Sequence, residues 1–395
     1  MSGALLPRDE AELVAAVAGA AAEGTPLALE GGGTKAGIGR PAQAERGLST
    51  RAMTGITLYE PSEMVIGARA GTPVALVEAT LAERGQMLPF EPMDYRTLLG
   101  SVAEPTMGGV VGANLSGPRR VVAGACRDSL IGVRMVNGRG EAVTSGGRVM
   151  KNVTGLDLVK GVCGSWGTLA AFSEVTFKVL PTPETGATLV LHGLDDARAI
   201  EALSAGLGSP FEVSAAAHLP GTVERVPKTL LRLEGFADSV AYRAGRLRAL
   251  LAPQGGAALI EAPQSGVLWR SIRDVAFLAE PRGEAIWRVS VAPSRAAAGV
   301  AAILDATPAR HLYDWGGGLV WLALPVADDA GAALVRAAFA GLGAHATLVR
   351  APAEIRAVVD VFEPPAAPVR RLTAGIKASF DPRGIFNPGR MYAGI

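Results

Sequence analysis

The sequence predicts a fold in which strands and helices alternate, of the α/β or α+β class. Short apolar runs with strand-like patterns are followed by longer segments with helical periodicity, and glycine-rich turns separate them. The turn-rich stretch PTPETG at 181–186 is the best domain boundary. It predicts a first domain over residues 1–183 and a second over residues 187–362, followed by a C-terminal segment over residues 363–395.

The elements follow from local patterns taken in order. Asp9 and Glu12 resemble a capping box that begins a helix, and Gly24 ends it. A short strand at 27–30 leads directly into a glycine cluster, and Asn137 to Gly140 predicts a hairpin turn. Further strands are predicted over 56–59, 64–69, 131–136, 141–144, 171–180, 287–291 and 319–324. Helices are predicted over 73–85, 156–162, 195–205, 239–251 and 328–342, with an irregular loop over 88–99, a glycine loop from 105, a linker over 362–368 and a last helix that ends near Phe380.

Composition excludes several classes of function. A net charge of +1 offers no basic excess for nucleic acid. Two cysteines do not suggest a disulfide framework and cannot ligate an iron–sulfur cluster, so such a cluster would belong to another chain. Acidic residues at 9–12 interrupt any secretory signal, and no apolar run of about 18 residues predicts a membrane span. We expect a cytoplasmic protein whose contact with an inner membrane, if it has one, runs through partners.

The first glycine cluster, Gly31-Gly32-Gly33, is followed by Thr34 and Lys35. It matches the spacing of the dinucleotide fingerprint formally, but the residues after it cannot begin the helix that the Rossmann motif requires. The remaining interpretation is a loop whose backbone N–H groups cradle an anionic diphosphate, assisted by the Thr34 hydroxyl and the Lys35 charge. A glycine-rich turn without a ligand is the alternative.

A second glycine cluster strengthens the first. Pro105-Thr106-Met107-Gly108-Gly109 is followed by Asn114 and Gly117, then by KNVTGLDL at 151–158, GSWGTL at 164–169 and AAFSE at 170–174. This order of blocks resembles the FAD domain of the vanillyl-alcohol-oxidase (PCMH-type) flavoprotein superfamily. The resemblance implies an α+β fold with a PCMH-type, two-subdomain FAD-binding domain and an α+β cap domain.

The same resemblance implies which residues bind the cofactor. The two glycine clusters would hold the pyrophosphate and line the flavin, the blocks after 164 would line the adenosine half, and Asn387 in a returning C-terminal tail would lie near the isoalloxazine ring. The implied cofactor-binding residues are Gly31, Gly32, Gly33, Thr34, Lys35, Pro105, Thr106, Met107, Gly108, Gly109, Asn114, Gly117, Gly164, Ser165, Gly167, Thr168, Phe172, Glu174 and Asn387. Gly108 is expected to leave space for the pyrophosphate, and Asp157 to serve as a cap or an arginine partner. The FAD is expected to be noncovalent, because residues 31–39 contain no histidine and Cys126 falls outside the attachment position of relatives.

More specific blocks, SGPRR at 116–120, RVMKNVTGLDL at 148–158 and DPRGIFNPGRMY at 381–392, resemble the family of FAD-binding E subunits of bacterial glycolate oxidase. That resemblance implies a complex of a catalytic flavin subunit, this second flavin subunit and an iron–sulfur subunit, which oxidises glycolate to glyoxylate. The catalytic relatives carry H-x-G-D-G-N-x-H in the substrate domain, and this sequence has no such run. Its four histidines are isolated, so no metal site is expected.

Candidates for substrate chemistry are therefore few. Oxidation of a 2-hydroxy acid needs a cation for the carboxylate and a base for the hydroxyl proton. Arg119 and Arg120 could clamp the carboxylate, with ion pairing or subunit contact as the alternative. Tyr313-Asp314-Trp315 could form the wall of a pocket at the flavin face, with core packing of Trp315 as the alternative. Two other functions stay open, a stand-alone enzyme for another 2-hydroxy acid or alcohol and a flavin-fold scaffold without catalysis.

Overall fold

The structure, a computed structural model, describes residues 4–147 and 157–394. In this part of the chain the strands are β1 (Leu27–Glu30), β2 (Arg46–Ser49), β3 (Ile56–Glu60), β4 (Val65–Arg69), β5 (Gln86–Met87), β6 (Leu130–Asn137), β7 (Ala142–Gly146), β8 (Ala170–Lys178), β9 (Leu180–Pro181), β10 (Thr185–His192), β11 (Ala215–Leu219), β12 (Lys228–Gly235), β13 (Ala257–Glu261), β14 (Glu284–Ser290), β15 (Arg310–Asp314), β16 (Leu319–Pro325) and β17 (His345–Arg350). The helices are α1 (Glu10–Glu23), α2 (Val74–Ala82), α3 (Arg96–Leu99), α4 (Met107–Ala113), α5 (Arg120–Ala123), α6 (Cys126–Ser129), α7 (Leu158–Val162), α8 (Asp196–Leu207), α9 (Ala237–Leu251), α10 (Gln264–Arg273), α11 (Pro293–Ala306), α12 (Ala332–Ala338), α13 (Ala353–Val358) and α14 (Ala367–Phe380).

The N-terminal half contains two small subdomains. One is the parallel pair β1–β2, with α1 nearby in the same apolar core. The other is an antiparallel sheet with the strand order β3-β4-β8-β6-β7. Helix α4 contacts β8 of this sheet, so the end of β1 and the start of α4 approach the same region of the molecule.

The C-terminal half is built on one antiparallel sheet with the strand order β13-β10-β12-β11-β15-β16-β14-β17. Helices α8 and α9 pack on the β10–β12 part of this sheet, and α11 packs on α8 and α12. A single apolar cluster runs from the five-stranded sheet into this sheet and includes Phe90, Phe177, Trp269 and Trp287. The two halves therefore share a core rather than meeting across a polar surface.

The C-terminal residues lie against the β1–β2 subdomain. Leu27 donates its N–H to the carbonyl of Ile385 (2.7 Å), and Phe386 is fully buried beside it. Lys377 stabilises this turn because its buried Nζ donates to Asp381 Oδ2 (2.7 Å) and to the carbonyls of Thr168 and Phe386. The C-terminal residues therefore pack next to β1, at the side of the molecule where α4 begins.

Local capping explains where several elements begin and end. Asp9 accepts the N–H of Glu12, and Gly24 adopts a left-handed conformation (φ 70°), so both predicted ends of α1 are confirmed. Asp157 caps α7 by accepting the N–H of Lys160, as one of its two expected roles requires. The 151–156 part of the KNVTGLDL block lies outside the described residues.

Four local predictions are wrong in part. The glycine loop from 105 is instead the start of α4, with Thr106 as its N-cap. The helix over 328–342 is shorter, since Asp329 accepts the N–H groups of Gly331 and Ala333 and delays its start. The irregular stretch at 88–99 ends in the single turn α3, and β10 begins inside the turn-rich stretch at Thr185.

Candidate functional site

A cavity of about 280 Å³ opens where β1, α4 and the C-terminal tail meet. It is lined by backbone of the first glycine cluster, by one side of α4 and by apolar side chains that include Leu29, Trp166 and Phe172. A cleft with apolar walls and a few convergent polar groups is the usual form of a cofactor site.

The two glycine clusters pack directly against each other. A Cβ on Gly31 would overlap Thr106 Oγ1, and a Cβ on Gly32 would overlap the carbonyl oxygen of Glu104. Only glycine permits this approach, so the residue type is explained at both positions. The two clusters, separated by some seventy residues of sequence, therefore form one wall.

The first cluster supplies free backbone donors. Among the described residues, nothing accepts a hydrogen bond from the N–H groups of Gly32, Gly33, Thr34 or Lys35. Buried or half-buried amides without partners are rare in proteins, and a row of them suits an anion. These free donors favour the cradle that the sequence predicts for this loop, and the cradle stays a prediction.

The second cluster has a different role. The N–H groups of Met107 and Gly108 donate to the carbonyls of Thr72 (3.0 Å) and Ala70 (2.7 Å), and the N–H of Gly109 donates to Thr106 Oγ1 (3.3 Å). These amides are already used within the protein. The absent side chain of Gly108 faces Ala70, whose Cβ and carbonyl oxygen would lie 2.9 Å from an added Cβ. This glycine is therefore required for packing although it also lines the cavity, and the space that it is expected to leave for a pyrophosphate stays a prediction.

Sequence reasoning missed the glycine of α4 that faces open space. A Cβ on Gly112 would meet no atom within 4 Å, and Gly112 lines the cavity together with Ala113. The signal was present as Gly109 and Gly112, three residues apart on one helical face. It was hidden because three glycines in seven residues argue against a helix.

Lys35 and Arg390 contribute positive charge to the cavity, which Arg40 and Glu30 also line. Lys35 is buried, its Nζ donates to Thr34 Oγ1 (3.0 Å), and no carboxylate in the described ranges forms an ion pair with it. Burial lowers the pKa of Lys35 to about 8, and the charge of Arg390 adds to the effect. Burial likewise lowers the pKa of Arg390 to about 10, although Glu30 opposes the shift.

Arg390 was not predicted as a site residue. Its guanidinium donates to the carbonyl of Lys35 (3.1 Å) and lies 5.7 Å from the ring centre of Trp166. The tail brings it to the cavity from the far end of the chain, so no local pattern reveals it. Lys35 and Arg390 together suit a diphosphate, which carries the opposite charge.

Asn387 holds the cavity together through its amide. Its Oδ1 accepts the N–H of Leu29 (2.8 Å), and its Nδ2 donates to the carbonyls of Leu29 (3.1 Å), Trp166 (2.9 Å) and Gly167 (3.2 Å). This side chain ties the tail to β1 and to the turn before β8. Its polar atoms are engaged with backbone, so it positions the wall.

The predicted cofactor residues divide into two groups. Those that line the cavity are Gly31, Gly32, Gly33, Thr34, Lys35, Thr106, Gly108, Gly109, Gly167, Phe172 and Asn387. Those outside its lining are Pro105, Met107, Asn114, Gly117, Gly164, Ser165, Thr168 and Glu174. Several of the second group have structural partners, such as Asn114, whose Oδ1 accepts the N–H of Arg127, and Gly117, which packs against the carbonyl of Glu91.

The five candidate residues for substrate chemistry have different partners and do not form one cluster. Arg119 forms an ion pair with Glu234 (2.9 Å). Of its two predicted roles, substrate binding and ion pairing, the structure therefore contains the ion pair. Tyr313 is fully buried and donates its hydroxyl hydrogen to Asp196 Oδ2 (2.8 Å), and its pKa is raised by burial and by the Asp196 charge. Arg120, Asp314 and Trp315 lie together at the junction of the two halves, with Arg120 Cζ 4.5 Å from the ring centre of Trp315.

Two absences concern the residues described. Within residues 4–147 and 157–394, no group of three or more His, Cys, Asp and Glu side chains has a metal-binding arrangement. None of the helices in these ranges has both the length and the apolar character to cross a membrane.

Comparison with known proteins adds independent evidence. Residues 1–146 match the family model described as an FAD binding domain. The chain is 36% identical over 371 residues to glycolate oxidase subunit GlcE of Escherichia coli (strain K12), and the match covers 93% of each protein. It is 34% identical over 133 residues to glycolate oxidase subunit GlcD of Bacillus subtilis (strain 168), which covers 33% of this chain and 27% of that protein.

A solved structure of alkyldihydroxyacetonephosphate synthase superposes with a TM-score of 0.66 at 17% identity and covers 97% of this chain and 76% of that one. At this identity the likeness concerns the fold alone. It confirms the α+β, PCMH-type fold class expected from the sequence.

Proposed function

This chain belongs to the family of FAD-binding glycolate oxidase subunits, which are FAD-dependent oxidoreductases acting on CH–OH donors, and from that premise we propose that it is the second flavin subunit of a glycolate-oxidising complex. In this proposal the complex oxidises glycolate to glyoxylate and passes the electrons to an iron–sulfur subunit. A catalytic flavin subunit is its other partner.

The observation that carries the cofactor assignment is the pairing of free amides with buried cations. Residues 32–35, whose N–H groups have no acceptor among the described residues, line the same cavity as Arg390. An isolated cation that is removed from water costs free energy unless an anion compensates it. The diphosphate of FAD supplies that anion, and the apolar walls suit its ring systems.

When bound, FAD supplies the two-electron acceptor for oxidation of an alcohol. The residues of this chain bind and orient it. The amides of the first cluster and Lys35 would hold the diphosphate, Thr34 would donate its hydroxyl hydrogen, and Arg390 would hold the tail against the cavity. We propose noncovalent binding, since residues 31–39 contain no histidine.

Two sequence facts support a subunit rather than a complete oxidase. The H-x-G-D-G-N-x-H run of catalytic relatives does not occur in the sequence, and two cysteines are too few for an iron–sulfur cluster. Electrons would therefore leave through a second polypeptide. We also propose that the protein is cytoplasmic and that any membrane contact runs through its partners.

The cofactor assignment is tested with Gly112→Leu. The new side chain would extend into the cavity from a position with no neighbour within 4 Å, so the fold should persist while FAD is excluded. The matched control is Gly245→Leu, because Gly245 lies in α9, is exposed and also has no neighbour within 4 Å. We expect about one FAD per chain in the wild type and the control, measured by absorbance, and almost none in Gly112→Leu. Equal flavin content in all three proteins would refute the assignment.

The complex is tested by reconstitution. Glycolate-dependent reduction of an artificial acceptor, with glyoxylate measured as the product, should require the catalytic flavin subunit and the iron–sulfur subunit in addition to this chain. Full activity of this chain alone would instead establish a stand-alone enzyme. A purified chain without flavin would establish a scaffold.

A further inference from the structure

Trp315 forms an unusual corner where the two halves of the molecule meet. It lies between β15 and β16 in a left-handed conformation (φ 53°), which a bulky residue rarely adopts. Asp314 Oδ1 accepts the N–H of Trp315 (2.7 Å), and the indole Nε1 donates to the carbonyl of Gly117 in the other half (3.0 Å). Both ends of the residue are held, so the ring has a fixed position.

Two arginines from different halves converge on this ring. Arg120 of α5 has its Cζ 4.5 Å from the centre of the indole, and Arg288 of β14 has its Cζ 5.0 Å from it. In the part of the chain that the structure describes, neither guanidinium donates a hydrogen bond or forms an ion pair. Each guanidinium carries five N–H donors, and an aromatic face compensates only part of its charge.

Burial acts against the charge of both arginines, although the charges of Asp128 and Asp314 oppose its effect on their pKa values. Burial lowers the pKa of Arg288, and burial together with the charge of Arg288 lowers the pKa of Arg120. Arginines stay protonated despite such shifts. The corner therefore holds two like charges that repel each other.

The carboxylates around this corner form no ion pair with either arginine in the described residues. Asp128, whose charge acts on Arg120, accepts the N–H of Ala125 (2.8 Å), and Asp314, whose charge acts on Arg288, accepts the N–H of Trp315. Glu91 pairs with Arg232 (2.8 Å) and accepts the backbone N–H of Arg119 (2.9 Å). Glu234 pairs with both of those arginines. Burial raises the pKa of Asp314 to about 7, so near neutral pH this acid is only partly ionised.

We propose that Arg120 and Arg288, arranged around Trp315, bind the carboxylate of a small 2-hydroxy acid. A guanidinium pairs with a carboxylate through two parallel hydrogen bonds, and both guanidiniums have their Cζ within 5.0 Å of the centre of the same ring. The diphosphate of the cofactor already has a separate cradle at Lys35 and Arg390, so this corner is a second anion site. The inference rests on the proposed function for the choice of a 2-hydroxy acid.

The experiment measures binding of glycolate to the purified, flavin-loaded chain by calorimetry. Glycolamide, which is neutral and of similar size, serves as the second probe. The variants are Arg120→Met and Arg288→Met, each compared with Arg295→Met, which removes an exposed arginine at the start of α11. Flavin absorbance and circular dichroism of each variant report cofactor content and folding.

We expect the wild type and Arg295→Met to bind glycolate and not glycolamide. Loss of one charge-assisted pair should weaken glycolate binding about tenfold or more in Arg120→Met and in Arg288→Met. If Arg288→Met fails to fold, Arg120→Met is the deciding variant, because Arg120 begins the four-residue helix α5, which contains no buried residue. Arg288→Lys, which keeps a charge, should give an intermediate affinity.

Three results would overturn the inference: a flavin-loaded wild type that does not bind glycolate, equal affinity in Arg120→Met and the control, or loss of FAD from the variants with glycolate affinity unchanged. The last result would assign the arginines to the cofactor. These outcomes differ from failure of the proposed function, which would appear as a wild-type chain that retains no FAD.

Discussion

Replacing Lys35 with methionine should stabilise the FAD-free chain and weaken its binding of FAD. The reason is that Lys35 is buried beside Arg390 with only the Thr34 hydroxyl as a hydrogen-bond partner in the described residues. Methionine has a similar length and no charge, so it removes the cost of burial and the attraction for the diphosphate together. If Lys35 had a purely structural role, its replacement would not raise the free energy of unfolding and weaken FAD binding at the same time.

The size of the first effect follows from the pKa of Lys35. Its value falls from 10.5 to about 8 in the folded chain. Each unit corresponds to about 1.4 kcal/mol, so the charged lysine costs the folded, FAD-free state about 3 kcal/mol at pH 7. Between pH 8 and 10.5 the unfolded chain binds more protons than the folded chain, so wild-type stability rises with pH there. The advantage of Lys35→Met should therefore be complete below pH 8 and vanish above pH 10.5.

The assay is urea unfolding of the deflavinated proteins at pH 7 and at pH 10.5, followed by titration with FAD. Lys35→Met should gain up to about 3 kcal/mol at pH 7 and lose about 10- to 100-fold in FAD affinity, the effect of one hydrogen bond to a charged group. Lys178→Met, which removes a lysine outside the cavity, is the control. A FAD-free Lys35→Met that is less stable than the wild type at pH 7 would refute the reasoning.

Three further outcomes are expected. The pKa of Asp314 rises from 3.8 to about 7, so the folded state keeps a proton that the unfolded state releases, and stability falls as pH increases between about 4 and 7. Asp314→Asn keeps the acceptor for Trp315 and should abolish this fall in urea unfolding at pH 5 and 8, whereas equal slopes would contradict the pKa. Asn387→Ala should lower both the melting temperature and FAD retention, because several backbone groups lose their partner, and an unchanged flavin content would remove the amide from the support of the cavity. Gly108→Ala should destabilise the FAD-free chain by about 1–3 kcal/mol through its clash with Ala70, and unchanged urea unfolding would contradict the packing role.

Local chemistry in the sequence predicted those features that depend on few residues. The two ends of α1 follow from Asp9 and Gly24 alone, and the hairpin between β6 and β7 follows from a turn in which Gly140 has φ 77°. The first glycine cluster could be separated from a Rossmann motif because no helix follows it, and the structure has none there. Each of these inferences needs only a turn or a cap.

The features that the sequence did not predict depend on contacts between segments that are distant in the chain. The helix α4 contains three glycines, and its first turn forms because Met107 and Gly108 donate to carbonyls of the β4–α2 connection. Intrinsic propensity disfavours this helix, and only the folded neighbourhood favours it. Arg390 and Arg288 were not assigned to sites for a related reason, because both reach their sites from remote segments. The 381–392 block contains Arg390 but does not show what its side chain contacts.

The charge balance of the chain shows why the unpaired cations Arg390 and Arg288 are evidence for ligand sites. The chain has 38 lysines and arginines against 37 aspartates and glutamates, so it has enough carboxylates to pair its buried cations. Two buried cations outside the two sites are paired in this way, since Arg232 lies 2.8 Å from Glu91 and Lys377 lies 2.7 Å from Asp381. A third, Arg356, donates instead to the carbonyls of Ala351 and Gly39. A buried cation without such a partner costs free energy in the ligand-free chain. The unpaired cations of the described residues at the cavity and at the Trp315 corner therefore indicate anions that come from outside the chain, a diphosphate at one place and a carboxylate at the other.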